Sequence, residues 1–378
     1  MSERADCVII GGGIIGASIA YHLTRLGCRD VVLLEKDYLA SKATGVCPGG
    51  IRSQWQDETA CLYARESVKF FERIDEDLHP DFPLPFRQTG YLFLAHSRAT
   101  LEVFRKNVAL QNRMDIPSEL VTPEDIATIV PELNLEGLVG GSFCVKDGFI
   151  EDSDGLTQLL AQRAKDEGAR VRLEPALGIE RRGSRVTGVN TPSGLIEAPN
   201  VILAAGCDSP ALAKPLGLDL PITVERRRML YTERIEERVL EPLIAAMDLG
   251  WAGKQLIDGV VYMGYLREAR ERRDDWAYTE QVASLFLDLM PSLSGTGIKR
   301  LASGYYDTSP DGHPFLGGVS GLEGYFQAAG FSGHGYMLSP SVGRVMAEMV
   351  LGMNPSLPVE PFAFDRFETT AGPDGLVI

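Results

Sequence analysis

Three glycines near the amino end, Gly11, Gly13 and Gly16, have the spacing of a diphosphate cradle, and Glu35 follows Gly16 by 19 residues. In such a pattern the first glycine makes a tight turn, the second lets the backbone approach a pyrophosphate, and the third lets a helix lie close to a strand. The diphosphate rests on the helix amino end, where unpaired N–H groups and the helix dipole favour negative charge. An acid ending the second strand can accept hydrogen bonds from adenosine ribose hydroxyls, and it disfavours a 2′-phosphate. The flanking sequence supplies the elements this chemistry needs. Residues 7–10 form a short apolar strand, residues 14–26 carry apolar side chains at helical spacing up to a cap at Gly27, and residues 31–34 form a second buried strand. That β-α-β unit binds a dinucleotide; the choice of FAD over NAD needs the rest of the chain.

A second glycine cluster lies near the other end. Gly330, Gly333 and Gly335 give a backbone with little side-chain bulk, suited to close approach of a flat ring, and a helix begins directly after them. Its positive dipole end, aimed at the N1–C2=O edge of an isoalloxazine, would favour the anionic reduced flavin.

Taken together, the segments resemble the D-amino-acid oxidase superfamily of FAD-dependent oxidoreductases. The resemblance is to the branch holding sarcosine oxidase β subunits, proline dehydrogenase β subunits and dimethylglycine dehydrogenase. It rests on residues 11–23 with 31–35, on Ala43-Thr-Gly-Val-Cys-Pro-Gly-Gly-Ile-Arg-Ser-Gln54, on Val201-Ile-Leu-Ala-Ala-Gly206, and on residues 309–317 with 329–335. It implies non-covalent FAD held at Gly11, Gly13, Ile14, Ile15 and Gly16, at Glu35 and Lys36, and at Thr44, Gly45, Gly50 and Ile51. Gly206 and the run of Gly330, Gly333, His334, Gly335, Tyr336 and Met337 complete the implied cofactor set.

For catalysis the resemblance implies Arg52, whose planar fork would take a substrate carboxylate through two parallel charge-assisted bonds. Tyr262 matches an active-site tyrosine on a substrate-domain strand, and His334 is a pocket residue or a packing partner of the flavin turn. Departures from the pattern matter as well. The cysteine that tethers FAD in monomeric sarcosine oxidases is Gly304 here, and their second carboxylate-binding lysine is Met337. Their oxygen-activating lysine follows the tyrosine, and this chain has no lysine from 255 to 298, so slow reaction with oxygen is expected. No histidine lies between His96 and His313 to carry a covalent FMN.

Around these motifs the reading places helices over 57–78, 98–112, 123–129, 153–167, 279–289 and 336–352, and strands over 88–96, 201–205 and 325–329. A strand meander is expected over 170–198, and mostly strands over 221–306. The nucleotide-binding pieces are interleaved with stretches of other character. The expected fold is therefore α/β: a Rossmann-type FAD-binding domain from 1–86, 145–215 and 307–378, and a mixed-sheet substrate domain from 87–144 and 216–306.

The net charge of −15 argues against nucleic acid and anionic membranes as partners. The runs at 226–228 and 270–273 read as solvated or ion-paired arginines. Six cysteines without a CxxC pair fit free thiols in a cytoplasmic protein, and with five scattered histidines they offer no metal site. No signal peptide or membrane span is expected. The expected reaction is C–N oxidation of a small carboxylate-bearing amine, an N-methyl or cyclic amino acid, with O2 or an electron carrier as acceptor. A dehydrogenase is favoured over an oxidase. Open alternatives are a β-like subunit of a multi-chain dehydrogenase, a homo-oligomer, a non-catalytic FAD-containing assembly factor, or a 2-hydroxy-acid oxidoreductase.

Overall fold

In the computed structural model, residues 3–266 and 274–369 are described. Five strands run parallel in the order Leu322–Ala329, Asn200–Leu203, Cys7–Ile10, Val31–Glu35 and Arg170–Leu173. They form one side of a ten-stranded sheet among the described residues, with Arg170–Leu173 at its edge. The short apolar runs are the mark of strands buried on both faces. Cys7, Ile9, Val31, Leu33 and Ile202 pack into one core with the helices Ile14–Arg25, Glu58–Phe71, Ser153–Asp166 and Gly335–Val350. Val8, Ile10, Val32, Leu34, Val201 and Leu203 pack into another on the reverse side. The expected meander divides: Arg170–Leu173 joins the parallel edge, and only Gly178–Arg182, Arg185–Thr191 and Gly194–Glu197 form antiparallel neighbours.

The second sheet has eight strands, in the order Ile298–Thr308, Thr223–Arg234, Val260–Tyr265, Trp251–Gln255, Leu243–Ala246, Tyr91–Ala95, Gly140–Cys144 and Ser118–Val121. Cross-strand partners share a face, so the register sorts its side chains into two sets. Leu92, Leu94, Ile244, Trp251, Val261 and Met263 lie with Tyr278, Val282 and Phe286 of the helix Asp275–Leu289 in one core. Ser142, Phe93, Lys254, Tyr262, Tyr231, Gly304 and Tyr306 occupy the opposite face. That face meets the loops that follow the parallel strands of the first sheet.

Two differences from the sequence reading have physical causes. The helix expected over 57–78 is two helices, Glu58–Phe71 and Ile74–Leu78, and Arg73 between them leaves helical geometry. Strands Ser118–Val121 and Gly140–Cys144 were not expected; they are short and rich in small or polar residues, with little alternation to read. Of the two basic runs, Arg226 and Arg228 pair with Asp275, and Arg227 pairs with Glu225. The run 270–273, with Arg267, lies outside the described residues.

The tightest contact in the first sheet is between the opening turn and its helix. A Cβ on Gly16 would lie 1.9 Å from the Gly11 carbonyl oxygen, and one on Gly11 would lie 2.3 Å from the Ala204 carbonyl oxygen. Both obstacles are backbone and cannot rotate away. Gly16→Ala should therefore cost roughly 1–3 kcal/mol or more, read as a clear fall in thermal midpoint. Gly178→Ala, with nothing within 4 Å of the added carbon, should change the midpoint little; equal effects would show that the contact is not limiting.

Candidate functional site

In an open parallel sheet, ligands bind beyond the carboxyl ends of the strands. Four of the segments singled out from the sequence emerge there: Gly11–Gly16 after Cys7–Ile10, Glu35 and Lys36 at the end of Val31–Glu35, Gly206 after Asn200–Leu203, and Gly330 after Leu322–Ala329. The helix opened by Gly13 begins with Ile14, Ile15 and Gly16 and has no acidic side chain in its first turn. The Ile14 N–H donates to the Thr44 hydroxyl at 3.2 Å, which ties the second loop to the helix end. Gly45 closes onto that loop through its N–H to the Ala40 carbonyl, 2.9 Å. The buried Glu35 carboxylate accepts N–H bonds from Gly12 and Asp37, each 2.8 Å. Both bonds hold the carboxylate in place at the strand end. Lys36 instead turns outward to Asp208 at 2.6 Å, across the turn begun by Gly206, and this bond raises its pKa.

Gly50 and Ile51 form a two-residue strand against Gly148–Phe149, and this pairing delivers Arg52 into the gap between the two sheets. Arg52 is 5% exposed. Its guanidinium carbon lies 4.2 Å from the Trp55 ring centre and 5.6 Å from that of Phe93. Nη1 donates to the Gln54 carbonyl at 2.6 Å, and Nη2 lies 3.3 Å from His334 Nε2. Burial lowers the Arg52 pKa from its usual value, yet an arginine keeps its proton and only donates. His334 Nε2 must then be the acceptor, and the ring proton sits on Nδ1. Burial, with the Arg52 charge beside it, pushes the His334 pKa well below the ordinary histidine value, which keeps the ring neutral. Among the described residues its Nδ1 has no hydrogen-bond partner, so the site holds an unused N–H donor next to a fixed cation.

His334 is also the residue from which the helix Gly335–Val350 starts. The turn before it is held by Asp307, whose carboxylate accepts the Gly330 N–H at 2.7 Å and whose carbonyl accepts that of Ser332 at 3.0 Å. Gly333 lies against a flat ring, but that ring is Tyr306: a Cβ there would be 2.2 Å from it. Tyr336 points into the helical core, stacked 6.4 Å from Phe71 with its hydroxyl unpartnered, and Met337 is 9% exposed.

Tyr262 reaches from the second sheet to the same loop. Its hydroxyl donates to the Val46 carbonyl at 3.4 Å, and its ring meets Tyr231 edge-on at 4.9 Å. Burial, with the neighbouring tyrosines, raises its pKa well above the usual phenol value. Gly304 faces Val46 as well. Arg52, His334 and Tyr262 thus all border the cleft between the sheets, whereas Lys36 stands at its solvent edge.

A lysine of the second sheet escaped the sequence reading. Lys254 is the cross-strand partner of Tyr262, only 1% exposed, with Nζ 4.0 Å from the Phe149 ring centre and no hydrogen-bond partner. Burial lowers its pKa to about 8, against the pull of Glu151, so near neutrality it can carry or release a proton. Alternation in Trp251–Gln255, with Trp251 and Gly253 on the core side, would have placed Lys254 beside Tyr262. The stretch 255–298 holds no lysine, but Lys254 lies directly before it and beside Tyr262.

Comparisons with known proteins fit this geometry. Residues 6–349 match the family described as FAD dependent oxidoreductase. Dimethylglycine dehydrogenase of Rattus norvegicus is 27% identical over 97% of this chain and 46% of its own length. Sarcosine oxidase subunit beta of Rhodobacter capsulatus is 25% identical, over 97% of this chain and 89% of its own. The structure of L-proline dehydrogenase from P. horikoshii superposes with a TM-score of 0.90 at 30% identity, covering 98% of this chain and 99% of that one. The chain spans about half the length of the first curated relatives it matches. The glycine turn, the helix end without an acid and the fixed Glu35 suit FAD, and the residues around them would hold it. Gly304 offers no sulfur for a covalent link. Acid precipitation of the purified protein should leave the yellow colour in the supernatant; colour kept in the pellet would show a tether.

Proposed function

We propose that this chain, which belongs to the FAD dependent oxidoreductase family, oxidises the C–N bond of a small carboxylate-bearing amine of the N-methyl or cyclic amino-acid type. The imine formed would then hydrolyse. The observation that carries the reading is Arg52: a cation buried between two sheets, stacked on Trp55 and braced by Gln54 and His334. The names of the relatives support it, since dimethylglycine, sarcosine and proline dehydrogenases all act on amines that carry a carboxylate.

FAD, when bound, supplies the hydride acceptor. The protein's own contribution is placement. Arg52 fixes the carboxylate, the His334 Nδ1–H offers a donor beside it, and the Tyr262 hydroxyl holds the Val46 loop. The aromatic face of Phe93, Tyr231, Tyr262 and Tyr306 keeps water out. Lys254 can take the proton that a substrate ammonium must lose before its carbon gives up a hydride. The proposed cofactor domain, from 1–86, 145–215 and 307–378, would be built around the first sheet, and the proposed substrate domain, from 87–144 and 216–306, around the second. Work as one subunit of a larger enzyme is a second reading, favoured by the similarity to a subunit named beta over 89% of its length.

Arg52→Lys should raise KM strongly, because a point charge cannot copy the planar fork. Arg52→Ala should cost more, on the order of 2–5 kcal/mol in kcat/KM. Unchanged FAD content with unchanged kcat/KM in Arg52→Ala would sink the assignment. For the acceptor, dehydrogenase-type turnover is the reading supported by the names of several relatives, dimethylglycine and sarcosine dehydrogenases among them. Photoreduced enzyme mixed with aerated buffer should reoxidise much more slowly than substrate reduces it. Reoxidation as fast as reduction, and slowed in Lys254→Met, would instead make the chain an oxidase that uses Lys254.

A further inference from the structure

Asp147 is a fully buried carboxylate that the proposed chemistry leaves unused. It sits between the strands Gly140–Cys144 and Gly148–Phe149, where the two sheets come together. Oδ1 accepts the Ser53 N–H at 2.8 Å and the Ser53 hydroxyl at 2.5 Å, and Oδ2 accepts a Gln54 side-chain N–H at 3.1 Å. Gln54 is gripped twice more, by its N–H to the Tyr91 carbonyl at 2.9 Å and by the Ser142 hydroxyl on its Oε1 at 2.7 Å. The Gln54 carbonyl is in turn the acceptor that holds Arg52 Nη1. One carboxylate therefore receives three donors from the two residues that directly follow Arg52.

We propose that ionised Asp147 is the positioning residue of the anion site: it locks Ser53 and Gln54, and through the Gln54 carbonyl it aims the Arg52 guanidinium at a carboxylate ligand. The proposal rests on Arg52 being the carboxylate site. Protonation would place a fourth hydrogen among three donors. It would turn the Ser53 hydroxyl away, toward Cys144 Sγ at 3.7 Å, and loosen the clamp. Burial is the largest influence on Asp147 and raises its pKa to about 6, against the bonds from Ser53 and Gln54 and the Arg52 charge. The titratable groups facing it are Arg52 from the loop, Tyr91 from its strand and Cys144 from its own hairpin. Arg52 stays charged, Tyr91 is raised, and burial pushes Cys144 up to about 12. Asp147 is thus the member of this group that changes charge near pH 6. The sign for binding is that the clamp is complete above pH about 6 and lost as pH falls. Fold stability runs the other way: a carboxyl raised on folding favours the folded state most at low pH, and this contribution is lost as pH rises through about 6.

The test is acetate binding to the FAD-loaded protein, followed by perturbation of flavin absorbance from about pH 5 to about pH 8. Wild type should bind progressively more weakly as pH falls through about 6, whereas Asp147→Asn should be weak by about tenfold throughout and flat with pH. In an Arg52→Lys background, Asp147→Asn should add almost nothing, because its effect travels through Arg52. A general structural role would add its cost in both backgrounds. Should Asp147→Asn fail to fold, the wild-type profile still decides: tighter binding at low pH would mean that Asp147 competes with the ligand for Arg52 and would overturn the proposal. If Arg52→Lys leaves acetate binding unchanged, the Arg52 reading fails; if Arg52→Lys weakens binding and Asp147→Asn does not, only the present inference fails.

Discussion

Residues 49–55 are all buried, and the site depends on how that stretch satisfies its own backbone. A buried loop must find a partner for each N–H and C=O or lose more free energy than one packed side chain returns. Here the partners come from all over the molecule. The Gly49 carbonyl accepts from Ile150, and the Ser53 N–H donates to Asp147. The Arg52 carbonyl accepts from the Trp55 indole, and the Trp55 carbonyl from Gln111. Close approach is possible at one end because a Cβ on Gly49, at φ +68, would lie 1.8 Å from the Ile150 carbonyl oxygen. Fixing this stretch fixes Arg52, and with it the neutral tautomer of His334.

The same constraint explains which polar residues are buried. Gln54, Ser142 and Gln111 would be unexpected in an apolar core, yet each is tied to the loop. A buried polar network of this kind is stabilising when complete and costly when one member is missing. It joins the second sheet to the first at the level of the cofactor loops. The interface between the sheets is thereby a specified surface with its own hydrogen-bond pattern.

How much of this could be read from the chain follows from the range of each interaction. The β-α-β unit is local, so Gly11, Gly16 and Glu35 could be placed from spacing alone. The loop 43–54 and the turn 330–335 carry no periodic signal, and resemblance pointed to them instead; the structure sets both against the same sheet face. Asp147 and Lys254 stayed hidden for a different reason. Each sits in a short strand or hairpin, and its surroundings come from residues far along the chain: Asp147 meets Ser53, 94 positions away, and the Lys254 Nζ lies over the ring of Phe149. Lys36 shows the converse, since a residue next to Glu35 in sequence points outward to a surface carboxylate.

The order of strands in the first sheet also bears on how the chain comes to be folded. Cys7–Ile10 has Asn200–Leu203 as a neighbour, and that strand is in turn flanked by Leu322–Ala329. The first helix is covered by one of the last, through the Ser18 hydroxyl to the Ser339 carbonyl at 2.7 Å. Synthesis must therefore reach Leu203 before the opening β-α-β unit can bury its second flank. Pairings of such long sequence separation form slowly. In the meantime a parallel strand edge stands open. The nascent protein is most in need of protection from aggregation while its most recognisable motif has already been synthesised.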